Sequence, residues 1–540
     1  MPFLAQEHLP VSNKDILSWI FDEQAFDQNQ PIYIDAANPS RTICSRQARS
    51  MIRKLVGGFK AIGLLLGDCV CLLSFNDAYY SMAFLGIVAA GGIFTGVNPS
   101  HTSSELQHAF RIAKVKCLIV EPELLKNALI AAEACNIPRS RIFIFDVHGQ
   151  SVPENLASWS TLQGHGECDW IRFDDKNTSE NTTVARLFSS GTTGLPKALD
   201  MSHYNFVAQH TLVMEYKERD YTVIRLLCNP MFHVSIVPRA HTSPLRGGIF
   251  TYIMHRFELE SYLRNIERYQ ITEVNMVPPM VVSIINSPLS KKYSLKSLRN
   301  AWSGSAPLNR GLQLRLKALM REGAPFNQVW GMSESSCIAT MLYYPEQDST
   351  GSVGRFLPGL DAKIVDEDGR DISGLGVAGE LCVRGPTVVQ GYFENEEANR
   401  RDWDEDGYFH TGDVAYCDEK SKLWYIVDRK KELIKVRGFQ VAPAELEGAL
   451  LSHPDVIDVA VIGVTPVPNG SELPRAYIVR RAGTRLTEEQ VMVHTRERLA
   501  NYKRLDGGIR FVESIPKNAG GKILKNVLRE QAARERSAKL

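Results

Sequence analysis

VARLFSSGTTGLPK, residues 184–197, runs from an apolar, strand-like segment straight into a loop crowded with glycine and hydroxyl groups. Gly191 and Gly194 let the backbone approach a ligand closely. Ser189, Ser190, Thr192 and Thr193 offer hydroxyl donors, and Lys197 adds a fixed positive charge. Such a loop at the end of a strand is suited to phosphate oxygens. It is not a Walker A loop, because the two glycines are too close together and the lysine does not directly follow the second one. Average residue usage gives a match to this pattern a chance of roughly 10⁻⁸ or less per position, so an ordinary polar linker is a poor account of it.

Upstream of the loop, helical and strand-like patterns alternate. Met51, Ile52, Leu55, Val56 and Phe59 follow helical spacing, and Gly67-Asp68 then leads into CVCLLSF, Cys69 to Phe75. Thr102 and Glu105 have the spacing of a capping box, and the helix they start leads to an apolar strand at Cys117–Val120, followed by another at Ile142–Phe145. Short strands without polar alternation belong to parallel sheets covered on both faces, so the expected class is α/β. The run Ala78–Ser104 lacks Asp, Glu, Lys and Arg, but glycines, Asn98 and Pro99 divide it. It reads as a buried helix followed by a strand and not as a membrane span.

At 540 residues the chain exceeds what one core supports, and at least two domains are expected. Its 62 basic and 61 acidic residues leave a net charge of +1, with no block of one sign, which argues against nucleic acid as a partner. The ten cysteines show neither zinc spacing nor a disulfide framework and fit a reducing compartment. The N-terminus lacks the pattern of a signal peptide. A cluster of Lys and Arg between Asp418 and Gly438 marks a change of character and a domain boundary. Asp404, Glu405 and Asp406 precede Gly407 in an expected turn and read as solvated.

With its phosphate loop, the chain resembles the adenylate-forming superfamily of acyl-CoA synthetases, adenylation domains and luciferases, and is most similar to 4-coumarate:CoA ligases. Further motifs follow in that family's order: WSGSAPL at Trp302–Leu308, FNQVWGMSE at Phe326–Glu334, YFHTGD at Tyr408–Asp413, VDRKKELIKVRGFQVAPAELE at Val427–Glu447 and PKNAGGKILK at Pro516–Lys525. The resemblance covers nearly the whole chain. It departs from the family at Ala198, where glycine is usual, and at Trp330 and Ser333, where tyrosine and threonine are commoner.

The resemblance implies a large N-terminal α/β domain of several subdomains with parallel sheets and helices, residues 1–428. A hinge at 429–431 centred on Lys431 and a small mobile α+β domain at 432–540 complete it. It implies that ATP is held by the loop Ser189–Lys197, by Ser305 and Ala306, and by Gln328, Trp330, Gly331 and Ser333. Asp413 and Arg429 would meet the ribose, and Glu334 would reach magnesium. Lys522 would complete the adenylation site. Lys435 and Gln440 would serve thioester formation, with Arg437 and Gly438 on the coenzyme A path. His233, in NPMFHVS, would open the route for the thiol. Val234, Ser235, Met280, Trp302 and Cys337 would line the acyl pocket. Ser235 and Trp302 depart from 4-coumarate:CoA ligases, pointing away from 4-coumarate itself and toward another aryl or a medium-chain acid.

The expected reaction joins a carboxylic acid to coenzyme A through an acyl-adenylate, with ATP and Mg²⁺. A free-standing enzyme that loads a carrier protein and a luciferase-like oxygenase share the same ATP motifs. Ala538-Lys539-Leu540 resembles a peroxisomal import address, implying an import receptor as partner and a peroxisomal location, otherwise a cytoplasmic one.

Overall fold

A computed structural model describes residues 1–189, 196–436, 439–465, 472–518 and 520–537, apart from the side chains of 439, 440, 536 and 537. Two seven-stranded sheets form its larger part. In one, the strands Val115–Val120, Cys69–Leu73, Ile93–Gly96 and Thr183–Ser189 lie side by side and parallel, and Lys197–Ser202 closes the edge antiparallel. In the other, Phe326–Gln328, Asn300–Ser303, Glu273–Met276, Ile224–Leu227 and Phe250–Ile253 are all parallel. Every residue of Cys69–Leu73 is buried, as expected for a strand covered on both faces.

The charge-free run resolves into a helix, Ala78–Ala89, and a strand, Ile93–Gly96. Asp77 caps the helix by accepting from the Tyr79 amide, and its Phe84 ring stacks on His241 at 4.3 Å. The helix thus lies between the two sheets, which explains why it is apolar all round. Among the described residues no helix is long and apolar enough to cross a membrane. The capping box at Thr102 is made: its hydroxyl accepts from the Glu105 amide, and the Glu105 carboxylate accepts from the Thr102 amide at 2.8 Å. All ten cysteines are unpaired.

A four-stranded antiparallel sheet follows, in the order Asp361–Val365, Gly379–Arg384, Phe409–Cys417, Trp424–Arg429. Beyond Arg429 the chain builds a separate, smaller unit. It has a hairpin of Ile434–Val436 with Phe439–Val441 and a three-stranded sheet of Val456–Val464, Leu473–Arg480 and Ile509–Phe511. Its own core joins Ile434, Val441, Leu446, Val461 and Ile478.

One local expectation fails. Glu405 and Asp406 are exposed, and the Gly407 amide closes the turn onto the Asp404 carbonyl, but Asp404 is not simply solvated. Its carboxylate pairs with Lys363 at 2.7 Å and accepts from the Tyr408 amide. The partner comes from a strand distant in sequence, so the turn pattern alone could not reveal it.

Candidate active site

The C-terminal ends of strands from both large sheets open on one crevice, where ligands bind in open α/β sheets. Ser189 ends one strand. Gly304 and Ser305 follow Asn300–Ser303, and Val329 to Glu334 follow Phe326–Gln328. The crevice has a volume of about 490 Å³ and is closed from the other side by Arg429, Lys431 and Lys522. That size suits a small-molecule substrate.

The segment Trp330–Thr340 folds back on itself: the Trp330 and Thr340 backbones exchange hydrogen bonds, and the Cys337 amide donates to the Met332 carbonyl. The close return requires glycine at 331. A Cβ there would stand 1.7 Å from the Cys337 carbonyl oxygen. Ser336 and Cys337 take positive φ angles of 58° and 130°, and Ser305 on the neighbouring loop has φ of 70°. Non-glycine residues held in this region mark backbone strain, here collected on two loops lining the same crevice.

Glu334 is buried on the cavity wall, and the Tyr392 hydroxyl donates to its Oε1 at 2.8 Å. The Lys197 ammonium lies 3.9 Å from the centre of the Tyr392 ring and pairs with Asp402 at 3.0 Å. Ser189 Oγ is buried and has no partner. The Ser333 hydroxyl reaches the Phe188 carbonyl only at 3.5 Å, so it too is available to a ligand. Gly331, Ser305, Val234 and Cys337 also line the cavity.

His233 lies on the loop between Leu227 and Val237, which Asn76 pins by accepting from the Met231 amide and donating to the Asn229 carbonyl. Its Nδ1 accepts from the Ser235 amide at 3.2 Å and lies 2.8 Å from the Ser235 hydroxyl. The ring proton is therefore on Nε2. Burial pushes the imidazole pKa down to about 4, so the ring is neutral at physiological pH.

Lys522 enters from the small unit on a loop closed by Asn518, whose amide donates to the Lys522 carbonyl and whose side chain accepts from the Lys522 amide. Its ammonium is buried without a hydrogen-bond partner. Burial, reinforced by repulsion from Arg429, lowers its pKa to about 8. Gly520 faces His233: a Cβ on it would lie 3.5 Å from Nε2. Gly521 packs against Pro279.

Other residues named from sequence stand behind the wall. Asp413 is buried, accepting from Trp330 Nε1 at 2.7 Å and pairing with Arg429 at 2.7 Å, so neither Asp413 nor Trp330 lines the cavity. Gln328 accepts from the Leu308 amide and thereby holds the 304–308 turn; Ala306 is half-buried there, outside the lining. Met280 packs in the core with Leu263, Ile266 and Leu316, and Trp302 is fully buried; neither reaches the cavity surface. Lys435 is exposed on the small unit, directly opposite Gln440 in the hairpin register and away from the cavity. Ser190, Gly191, Thr192, Thr193, Gly194, Arg437, Gly438, the Gln440 side chain and the terminal Ala538–Leu540 lie outside the described residues.

Sequence reading missed Tyr392, Asp402, Asn275 and Arg239, all of which line the cavity. Only Arg239 left a signal, as a lone charge in the apolar run VSIVPRA.

Two family models match the chain: AMP-binding enzyme over residues 21–393, and AMP-binding enzyme C-terminal domain over residues 445–522. The phenylacetyl-CoA ligase epaB of Aspergillus niger is 50% identical over 535 residues, spanning 98% of this chain and 99% of the relative. The acyl-CoA synthetase ACTT5 of Alternaria alternata is 52% identical over 508 residues, spanning 93% and 88% respectively. Among solved structures, ATP-bound MatB from Rhodopseudomonas palustris matches with a TM-score of 0.84 at 26% identity, over 96% of this chain and 99% of that one.

Proposed function

Given that the chain belongs to the AMP-binding enzyme family and is an AMP-forming acid–thiol ligase, we propose that it activates an aryl or medium-chain carboxylic acid in the crevice between the two large sheets and passes it to coenzyme A. The observation that carries this reading is the convergence on one cavity of Lys197, His233, Glu334, Arg429 and Lys522, drawn from elements across most of the chain.

A carboxylate is a poor electrophile until it gains a leaving group. In the first step one of its oxygens bonds to the α-phosphorus of ATP, and the bond to pyrophosphate breaks. Negative charge spreads over phosphoryl oxygens, which favours cations and donors already aimed at it. Lys522 and Lys197 supply charge, and Ser189 and Ser333 supply hydroxyl donors. Trp330, with Asp413 behind the wall and Arg429 on it, would shape the nucleoside end, while Gln328 fixes the turn that carries Ser305. The buried Glu334 carboxylate on the cavity wall would suit a magnesium ion, which when bound neutralises phosphate charge.

In the second step sulfur bonds to the acyl carbon and the bond to AMP breaks. A ring held neutral as firmly as His233 is a weak proton acceptor, so its role is to shape the route of the thiol beside Gly520. The cavity contains Lys522 and not Lys435, an arrangement suited to adenylation. Rotation of residues 432–540 about 429–431, centred on Lys431, would withdraw Lys522 and bring the Lys435–Gln440 hairpin to the site, with Arg437 and Gly438 toward coenzyme A.

Because one relative, epaB, is named a phenylacetyl-CoA ligase, phenylacetate heads a panel of aryl and medium-chain acids to be assayed for pyrophosphate release with and without coenzyme A. Release that depends on an acid, with thioester formed only when coenzyme A is present, supports the proposal. Transfer to a carrier protein but not to coenzyme A would overturn it.

The closing Ala538-Lys539-Leu540 supports a peroxisomal location. One residue added after Leu540 is expected to release a tagged protein from peroxisomes, as read by its distribution in cells. An unchanged distribution would exclude the address.

A further inference from the structure

Arg239 is buried, only 4% exposed, yet its side chain lines the cavity. It stacks on Trp302 at 4.7 Å, and no hydrogen bond or ion pair among the described residues engages its guanidinium; Nε is a buried donor without a partner. Glu273, the buried carboxylate whose charge acts on Arg239, is already taken. Glu273 pairs with Arg225 at 3.2 Å and Arg219 at 3.1 Å and also accepts from the Tyr221 hydroxyl. Two arginines thus pair with this acid, and Arg239 stands within its field without an acid of its own. The imidazoles of His210 and His241, held neutral by burial, add no charge.

A buried cation without a counter-ion is costly, and guanidinium cannot escape by losing its proton at neutral pH. Such a group persists where function fills the place of the missing anion. Asn275 and Ser235 line the same cavity, as do the apolar Val234 and Ile338. Arg239 follows His233 by six residues, beyond the turn and within the short helix Val237–His241, and both side chains belong to the lining of this one cavity.

We propose that Arg239 determines acid specificity by receiving an oxygen acceptor at the end of the substrate remote from the activated carboxyl, and that a second carboxylate is the acceptor it favours most. This rests on the acid–CoA ligase reading of the cavity. A planar donor fork holds a carboxylate through two hydrogen bonds, whereas an acid with a hydrocarbon end leaves the buried cation unpaired.

The test measures kcat/KM for pyrophosphate release with matched acids: hexanoate, 6-hydroxyhexanoate and hexanedioate, and phenylacetate against 4-carboxyphenylacetate. The native enzyme is expected to favour the dicarboxylate of each pair, by about 10²-fold where a site's polar groups would otherwise stand unpaired, with the hydroxy acid between. Arg239→Met is expected to lower kcat/KM for dicarboxylates and raise it for monocarboxylates, reversing the order without moving KM for ATP. Arg239→Lys, which keeps the charge but loses the fork, is expected to keep the order with a smaller ratio. Equal ratios in the native enzyme and both variants, or losses in proportion across all acids, would overturn the assignment while leaving the ligase reading intact. Failure of every acid to release pyrophosphate from the native enzyme would remove both.

Discussion

Lys522→Ala is expected to slow acyl-adenylate formation by at least roughly 10²- to 10³-fold, or about 2.7 to 4 kcal/mol, by analogy with removing one charge-stabilising donor. The ammonium is buried in the cavity with no hydrogen-bond partner, which leaves its donors available to a ligand. The same variant should still convert a supplied acyl-adenylate and coenzyme A to thioester, because in the proposed alternation that step would use the other face of the small unit. Lys435→Ala should show the reverse pattern. Single-turnover assays of each half-reaction separate the two, and equal loss of both steps in both variants would contradict alternation of the faces.

The same lysine sets a pH dependence. Burial holds its pKa near 8, and in the proposed adenylation step the charged form is the one that would act. Adenylation kcat/KM should therefore be fully expressed below that value and fall as pH rises through it. Lys522→Ala should lose this alkaline limb. An alkaline limb that survives in the variant would assign it to another group.

Gly331→Ala is the second large effect. The added methyl would meet the Cys337 carbonyl at 1.7 Å, a distance no rotamer change relieves because both atoms belong to the backbone frame. Either the Trp330–Thr340 return opens or the chain shifts at Ser336 and Cys337, already at positive φ. Overpacking of this kind costs about 1 to 3 kcal/mol or more. Here the displaced segment carries Ser333 and Glu334, so a lowered melting temperature should accompany loss of ATP-dependent adenylate formation. A variant with native melting temperature and native KM for ATP would show that the return is not rigid.

The parallel sheets were legible because strands covered on both faces are apolar throughout, as in Cys69–Leu73, and because local chemistry such as the Thr102–Glu105 box starts helices without tertiary help. Motifs were less informative about which side chain faces the crevice. Within one segment Val329, Gly331, Met332, Ser333 and Glu334 line it while Gln328 and Trp330 turn away: directions alternate only as far as Gly331, and the loop that follows has no strand periodicity to read. Trp302 and Met280 were assigned to the pocket from segments that do approach it, yet their side chains complete the cores beneath. Tyr392 and Asp402 could not be read at all. They matter through Glu334 and Lys197, contacts made only when distant segments meet. Asp404 misled for the same reason, its partner Lys363 lying in another strand.

The most direct measurement is exchange of labelled pyrophosphate into ATP in the absence of coenzyme A, with an acid from the panel that the enzyme accepts. If the cavity forms an acyl-adenylate before any thiol enters, exchange depends on the acid, requires no coenzyme A and collapses in Lys522→Ala while persisting in Lys435→Ala. Exchange that appears only when coenzyme A is added, or that survives removal of Lys522, would contradict an adenylate formed at this site.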